Sequence, residues 1–253
     1  MGPLLSEKEW VRCMEIAYEE VNNACVLLGG VITTSTRRAI EKIKILESIG
    51  YNKIAVTPTF YITLKSDDEI ISHFGNCRQS TSMDIIGYNI PSCTGSSISP
   101  DAMEYMCKNN WISAIKESSG SKEYFEEILR IAKDNGINVL QGSEVDIAWA
   151  LSLGASGIVP VCANYDPATY IAICDAAQKN DKKRMLELQD RIMQIRELAL
   201  RQGDNWIAGI MYAVSSLGIG NGFPVLPIQP LSAQEMAKVD KLHEFEVVNN
   251  SVF

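Results

Sequence analysis

The sequence predicts an α/β protein organised around a parallel sheet, and two patterns carry that expectation. Short apolar runs rich in Val and Ile recur along the first two thirds of the chain. Between them lie longer stretches with apolar residues spaced for one helix face, giving strand–helix units of roughly 25–30 residues each.

The runs occupy residues 24–32, 53–60, 83–90, 111–117, 137–143 and 155–162. Each is of strand length and is bounded by Gly, Pro, Asn or Ser. Near-continuous apolar character fits strands buried on both faces, as in parallel sheets. Residues 36–48 present Ile40, Ile43, Ile45 and Leu46 on one helical face. In 121–133, Ser121 is the expected N-cap ahead of Phe125, Ile128, Leu129 and Ala132, and Gly136 is the expected stop. Beyond Pro167 the strand pattern ends. Residues 168–216 read as helical, with one long helix over 182–201, and the Gly- and Pro-rich stretch 218–230 reads as irregular. The expected organisation is one domain, with a strand–helix portion over 1–167 and C-terminal helices over 168–253 that extend it.

The composition is that of an ordinary globular protein: 253 residues, 46% apolar and 21% charged. A formal net charge of -8 disfavours a broad nucleic-acid or anionic-membrane surface. No stretch approaches the roughly 20 apolar residues of a membrane helix. The first residues, MGPLLSEKEW, lack the pattern of a secretory leader, so a cytoplasmic protein is expected. The Cys residues, at 13, 25, 77, 93, 107, 162 and 174, are scattered and read as buried, reduced thiols. His73 and His243 stand far apart without ligand-like neighbours, so no metal site is expected.

Chemistry concentrates at two strand ends. Lys116 closes the apolar run of WISAIKESSG. An ammonium there loses hydration, which lowers its pKa and frees the amine to attack a carbonyl carbon. The bland reading is a strand-end lysine that reaches solvent or pairs with Glu117. Tyr88 holds the equivalent position one unit earlier, in DIIGYNIPSCTG. Neighbouring parallel strands bring such residues to one rim, where a phenol can move a proton. Its bland reading is a packed tyrosine with its hydroxyl bonded. Pro91 and Gly95 then turn the chain away.

YNIPSCTG, the 28-residue step from Tyr88 to Lys116 in IKESSG, then LQGSE and GIVPVCANYDP resemble, in order and spacing, the dihydrodipicolinate synthase and N-acetylneuraminate lyase family of class I pyruvate aldolases. The resemblance runs from about Leu5 to PVLPIQPLS. It implies a TIM (β/α)8-type barrel with a C-terminal helical extension, assembled as a homo-oligomer, a dimer or tetramer. It implies imine formation between the lysine and pyruvate or a related 2-oxo acid, with no cofactor. By position Lys116 takes the imine role and Tyr88 the proton relay. A second tyrosine, lent by an adjacent subunit, aligns with Phe60 or Tyr61, and Tyr61 is favoured. Ile158 matches a position whose backbone lines the pyruvate pocket. Gly142, Ser143 and Glu144 match a stretch facing the distal half of the substrate, where Ser143 could bond hydroxyls; a surface turn is the other reading.

Three departures from the family matter. Met1 aligns near the end of a Gly-Thr-Thr-Gly-Glu type motif that holds the substrate carboxylate, so about six strands are expected and the barrel should be incomplete. Cys93 stands where dihydrodipicolinate synthases usually place Arg, which disfavours dihydrodipicolinate synthesis. Ile32 stands where a second Gly is common. The leading expectation is a Schiff-base lyase, aldolase or dehydratase, acting on a 2-oxo acid through Lys116. The alternatives are an impaired member serving as a binding or assembly subunit, and 4-hydroxy-tetrahydrodipicolinate synthase proper. A flavin- or phosphate-binding barrel is disfavoured, because CANYDP lacks a glycine-rich anion nest.

Overall fold

The computed structural model describes residues 2–203 and 205–243. Six strands form one parallel sheet in the order β1 to β6: β1 (Gly29–Val31), β2 (Lys53–Val56), β3 (Asp84–Asn89), β4 (Ala114–Glu117), β5 (Asn138–Gln141) and β6 (Gly157–Ile158). The helices are α1 (Glu7–Val21), α2 (Thr36–Ile49), α3 (Asp67–Gln79), α4 (Pro91–Thr94), α5 (Pro100–Lys108), α6 (Lys122–Asn135), α7 (Ile147–Leu153), α8 (Pro167–Gln178), α9 (Lys182–Leu200), α10 (Trp206–Ser215) and α11 (Ala233–Val239). This is the alternating, sequentially ordered arrangement of a (β/α) barrel, with six strands as expected. Among the described residues β1 pairs only with β2, and β6 only with β5.

The chain divides into two compact units. The first takes residues 2–143 and 153–158 and holds the whole sheet. Its core combines strand residues Ile54, Val56, Ile85, Ile115 and Val139 with Ile43, Leu46, Phe74, Met103, Phe125 and Ile128 from the helices. The helices begin where side chains supply acceptors to otherwise unpaired N–H groups. Ser66 and Glu69 form a capping box on α3, and Ser121 caps α6 by accepting from the Tyr124 N–H. Gly136, in the left-handed region at φ 69°, closes α6.

The second unit takes residues 144–152 and those from 159 onward. Helix α9 buries Met185, Leu188, Ile192, Ile195 and Ala199, a three–four spacing that makes one apolar stripe. Helix α10 crosses close by, since a Cβ on Gly209 would fall 2.0 Å from the Ala199 carbonyl oxygen. Among the described residues no helix is long and apolar enough to cross a membrane.

Two expectations need correction. The apolar run 24–32 forms a strand only over Gly29–Val31; Val26 is 72% exposed and Leu28 38%. The cysteines are all free, but Cys13, Cys25 and Cys93 are exposed, and only Cys77, Cys107 and Cys162 are buried. Cys25 lies in an apolar run that precedes the strand instead of joining it.

Candidate active site

Strands β3 and β4 pair with Tyr88 opposite Lys116 and Asn89 opposite Glu117. Side chains alternate faces along a strand, so Tyr88 and Lys116 share one face and Asn89 and Glu117 the other. The Lys116 Nζ lies over the Tyr88 ring, 4.1 Å from its centroid. A ring face attracts the ammonium form through its quadrupole, while burial favours the neutral amine. Burial brings the Lys116 pKa down from its ordinary value to about 8. Near neutral pH an appreciable share of the amine is therefore unprotonated. Lys116 does not pair with Glu117.

The Tyr88 phenol is pushed up, first by burial and then by the nearby Cys93 and Glu117, while a hydrogen bond with Ser118 opposes the shift. It is neutral at pH 7 and able to donate. Ser118 went unremarked in the sequence, although strand periodicity could have found it: two residues beyond Lys116, it returns to the same face.

Gly142 supplies the adjoining wall. Its N–H donates to the Glu117 carbonyl at 2.7 Å. A Cβ there would meet Ser118 Oγ at 2.0 Å, the Glu117 carbonyl oxygen at 2.8 Å and Lys116 Cε at 3.0 Å. Only a glycine lets β5 end this close to the amine. The Ser143 N–H donates to Gln141 Oε1 at 2.8 Å. Ile158 pairs with Gln141, one rung beyond the row that joins Lys116, Leu140 and Gly157.

Tyr61 stands apart. It is 86% exposed, with its backbone in the left-handed region at φ 74°. The preceding Phe60 N–H is held by the Thr33 carbonyl at 3.2 Å. Cys93 lies in the single turn of α4, exposed, with Ser92 Oγ 4.0 Å from its sulfur. Glu144 belongs to the second unit and is buried. There its carboxylate accepts from the Cys162 N–H at 2.6 Å and the Tyr170 hydroxyl at 3.3 Å, with Arg196 at 4.0 Å.

The buried His73 was not legible as a partner of the strand ends. His73 bonds Thr36 Oγ1 at 2.9 Å and the Thr57 carbonyl at 3.0 Å. A carbonyl only accepts, so Nε2 carries the proton and Nδ1 accepts from Thr36. Burial lowers the His73 pKa, consistent with a neutral ring. Among the described residues no group of three His, Cys, Asp or Glu side chains is placed to hold a metal ion.

A sequentially wound parallel α/β sheet with a desolvated lysine at a strand's C-terminal end is an architecture suited to Schiff-base chemistry. The match to the dihydrodipicolinate synthetase family runs over residues 2–245, and the chain belongs to that family. The 4-hydroxy-tetrahydrodipicolinate synthase of Staphylococcus haemolyticus is 25% identical over 246 residues, covering 94% of this chain and 80% of that one. The same enzyme of Methanococcus vannielii is 27% identical over 242 residues, covering 95% and 80%. The solved structure of the 4-hydroxy-tetrahydrodipicolinate synthase of the methanotroph Methylacidiphilum fumariolicum SolV superposes with a TM-score of 0.90 at 25% identity, covering 99% of this chain and 83% of that one. A prophage protein of the same family from E. coli, solved in complex with pyruvate, superposes at 0.89 with 20% identity, covering 96% and 82%. That last likeness speaks to the fold alone.

Proposed function

We propose that this chain is a Schiff-base lyase, an aldolase or dehydratase, acting on pyruvate or a related 2-oxo acid through Lys116. The observation that carries the reading is the position of Lys116: a dried amine, with its pKa near 8, lying 4.1 Å from the centre of a phenol ring at a barrel-type strand end.

In the proposed sequence the unprotonated Nζ adds to the keto carbon. The Tyr88 phenol delivers a proton to the resulting oxyanion, giving a carbinolamine. The phenolate takes a proton back from the nitrogen and hands it to the hydroxyl, which leaves as water, and an iminium remains on Lys116. The positive nitrogen then accepts the electron pair released when a proton, or a carbon fragment, leaves the adjacent carbon, and an enamine forms. Reprotonation of that carbon and hydrolysis of the iminium return the free lysine. Ser118 keeps the phenol oriented. The backbones of Gly142 and Ile158 border the space for the 2-oxo acid, and Ser143 is assigned to the distal part of the substrate. Tyr61, exposed on its own protomer, is assigned to the site of a neighbouring copy, which makes the active form a homo-oligomer.

Cys93 argues against dihydrodipicolinate synthesis itself, because a thiol cannot hold a second substrate's carboxylate as a guanidinium does. The test needs no second substrate. In D2O, enamine formation exchanges the methyl protons of pyruvate for deuterium, which proton NMR follows directly. Exchange above the buffer rate at millimolar pyruvate is expected. Exchange no faster than buffer would leave the alternative, a silent binding or assembly subunit. Tyr88→Phe keeps the ring beneath Lys116 and removes only the hydroxyl. It is expected to slow the exchange by roughly 10²–10⁴-fold with the fold intact. An unchanged rate would take the proton relay away from Tyr88.

A further inference from the structure

Asn89 and Glu117 occupy the rung next to Tyr88 and Lys116, on the opposite face of the sheet. Their relative exposures are 0% and 1%. Asn89 Nδ2 donates to Glu117 Oε2 at 2.7 Å. Asn89 Oδ1 accepts from the Ile98 N–H at 2.9 Å and from the Ser97 hydroxyl at 3.3 Å. These partners fix the amide's orientation, since a backbone N–H can only donate and a carboxylate can only accept. The other oxygen, Glu117 Oε1, accepts from the Ser119 N–H. The backbone ladder continues past both residues, with Ser118 N–H donating to the Asn89 carbonyl at 2.9 Å and Gly142 N–H to that of Glu117 at 2.7 Å.

Among the described residues no cation pairs with Glu117, and burial pushes its carboxyl above the ordinary range. A carboxylate buried without a counter-charge gives little net stability, and apolar residues of similar volume would pack there at lower cost. What the pair does supply is geometry. It joins the ends of two strands and the 96–98 segment through directional bonds on the face away from the amine.

We propose that Asn89 and Glu117 form a positioning pair that holds Lys116 against Tyr88 from the reverse side of the sheet. The proposal rests on the reading of Lys116 as the reactive amine. Neither residue touches substrate; each acts through the strand end that it shares with its neighbour.

The bonding pattern permits a test by exchange of polarity. Asn89→Asp alone sets two carboxylates face to face. Glu117→Gln alone leaves one of two donors, the Asn89 amide or the Ser119 N–H, facing another N–H. The double variant Asn89→Asp/Glu117→Gln satisfies every bond, with donor and acceptor exchanged only between positions 89 and 117. For folded protein, confirmed by circular dichroism, each single variant is expected to lower kcat for pyruvate methyl exchange on the order of 100-fold. The double variant should return to within about tenfold of the parent. Crystal structures of the three variants should show the Lys116-to-Tyr88 distance lengthened in the singles and restored to about 4 Å in the double. Single variants that fold and exchange at the parental rate, or a folded double variant no faster than the singles, would overturn the proposal. If the parent itself shows no exchange, the lyase reading fails, and the crystallographic distances still decide the pair's role. An unchanged separation in both singles refutes it.

Discussion

Lys116→Met is expected to abolish carbonyl chemistry and at the same time to stabilise the protein. The lysine's pKa of about 8 in the folded chain compares with an ordinary 10.5. A lysine whose folded pKa is depressed costs stability in full below the folded value, because the folded state must there hold a desolvated cation. The cost fades as pH rises from 8 to 10.5, where the folded amine is neutral and the unfolded one still charged. The difference corresponds to about 3 kcal/mol at pH 7 as an upper bound. Met fills a similar volume without a charge, so it removes that cost. Denaturant unfolding of parent and variant should show the variant more stable at pH 7, with the gap closing between pH 8 and 10.5. The parent's rate of imine formation should rise about tenfold per pH unit below 8 and then level off. A variant less stable than the parent at pH 7, or a flat pH profile, would contradict the desolvated state of this amine.

Gly142→Ala carries the second large effect. The added methyl would sit 2.0 Å from Ser118 Oγ, 2.8 Å from the Glu117 carbonyl and 3.0 Å from Lys116 Cε. The serine hydroxyl can rotate away. The carbonyl cannot, because it accepts the N–H of Gly142 itself. Either β5 withdraws from β4 or the lysine stem is displaced. Overpacking of this kind costs about 1–3 kcal/mol. A shift of the amine near 1 Å is expected to reduce imine formation on the order of 100-fold. Gly30→Ala is the control, since a Cβ there meets nothing within 4 Å. Thermal unfolding and methyl exchange on both variants would check the pair. Equal behaviour at the two positions would show that the close approach at Gly142 has no functional weight.

Much of the fold was legible because burial on both faces leaves a parallel strand few polar positions away from its ends. All six strands fall within the apolar runs, and the register that sets Tyr88 beside Lys116 follows from two strand ends 28 residues apart. The first run misled for the complementary reason. Composition marks 24–28 as strand, but β1 has no described neighbour on its outer side, and the chain enters it from α1 through Asn22 and Asn23 in the left-handed region. Pairing begins only at Gly29, where a Cβ would press on Leu46 at 2.7 Å. Helix α11 was announced by Ser232 and Glu235, a capping box that the irregular 218–230 stretch overshadowed.

At the site, sequence pointed to residues that bear recognisable chemistry and missed those that act through placement. Ser118 and the Asn89–Glu117 pair are ordinary polar residues in the sequence. They acquire a role only when alternation assigns them a face. Glu144 illustrates the opposite case: the likeness of the 142–144 stretch to the family drew attention to it, while in the structure its carboxylate is engaged by Cys162, Tyr170 and Arg196.

The central claim is that one amine on β4 condenses with a ketone. Sodium borohydride added to the protein with pyruvate, followed by peptide mass mapping, tests it most directly. The predicted result is a reduced pyruvate adduct on the peptide carrying Lys116, absent without pyruvate and absent from Lys116→Met. No adduct at millimolar pyruvate, or one spread over surface lysines and undiminished in the variant, would contradict it.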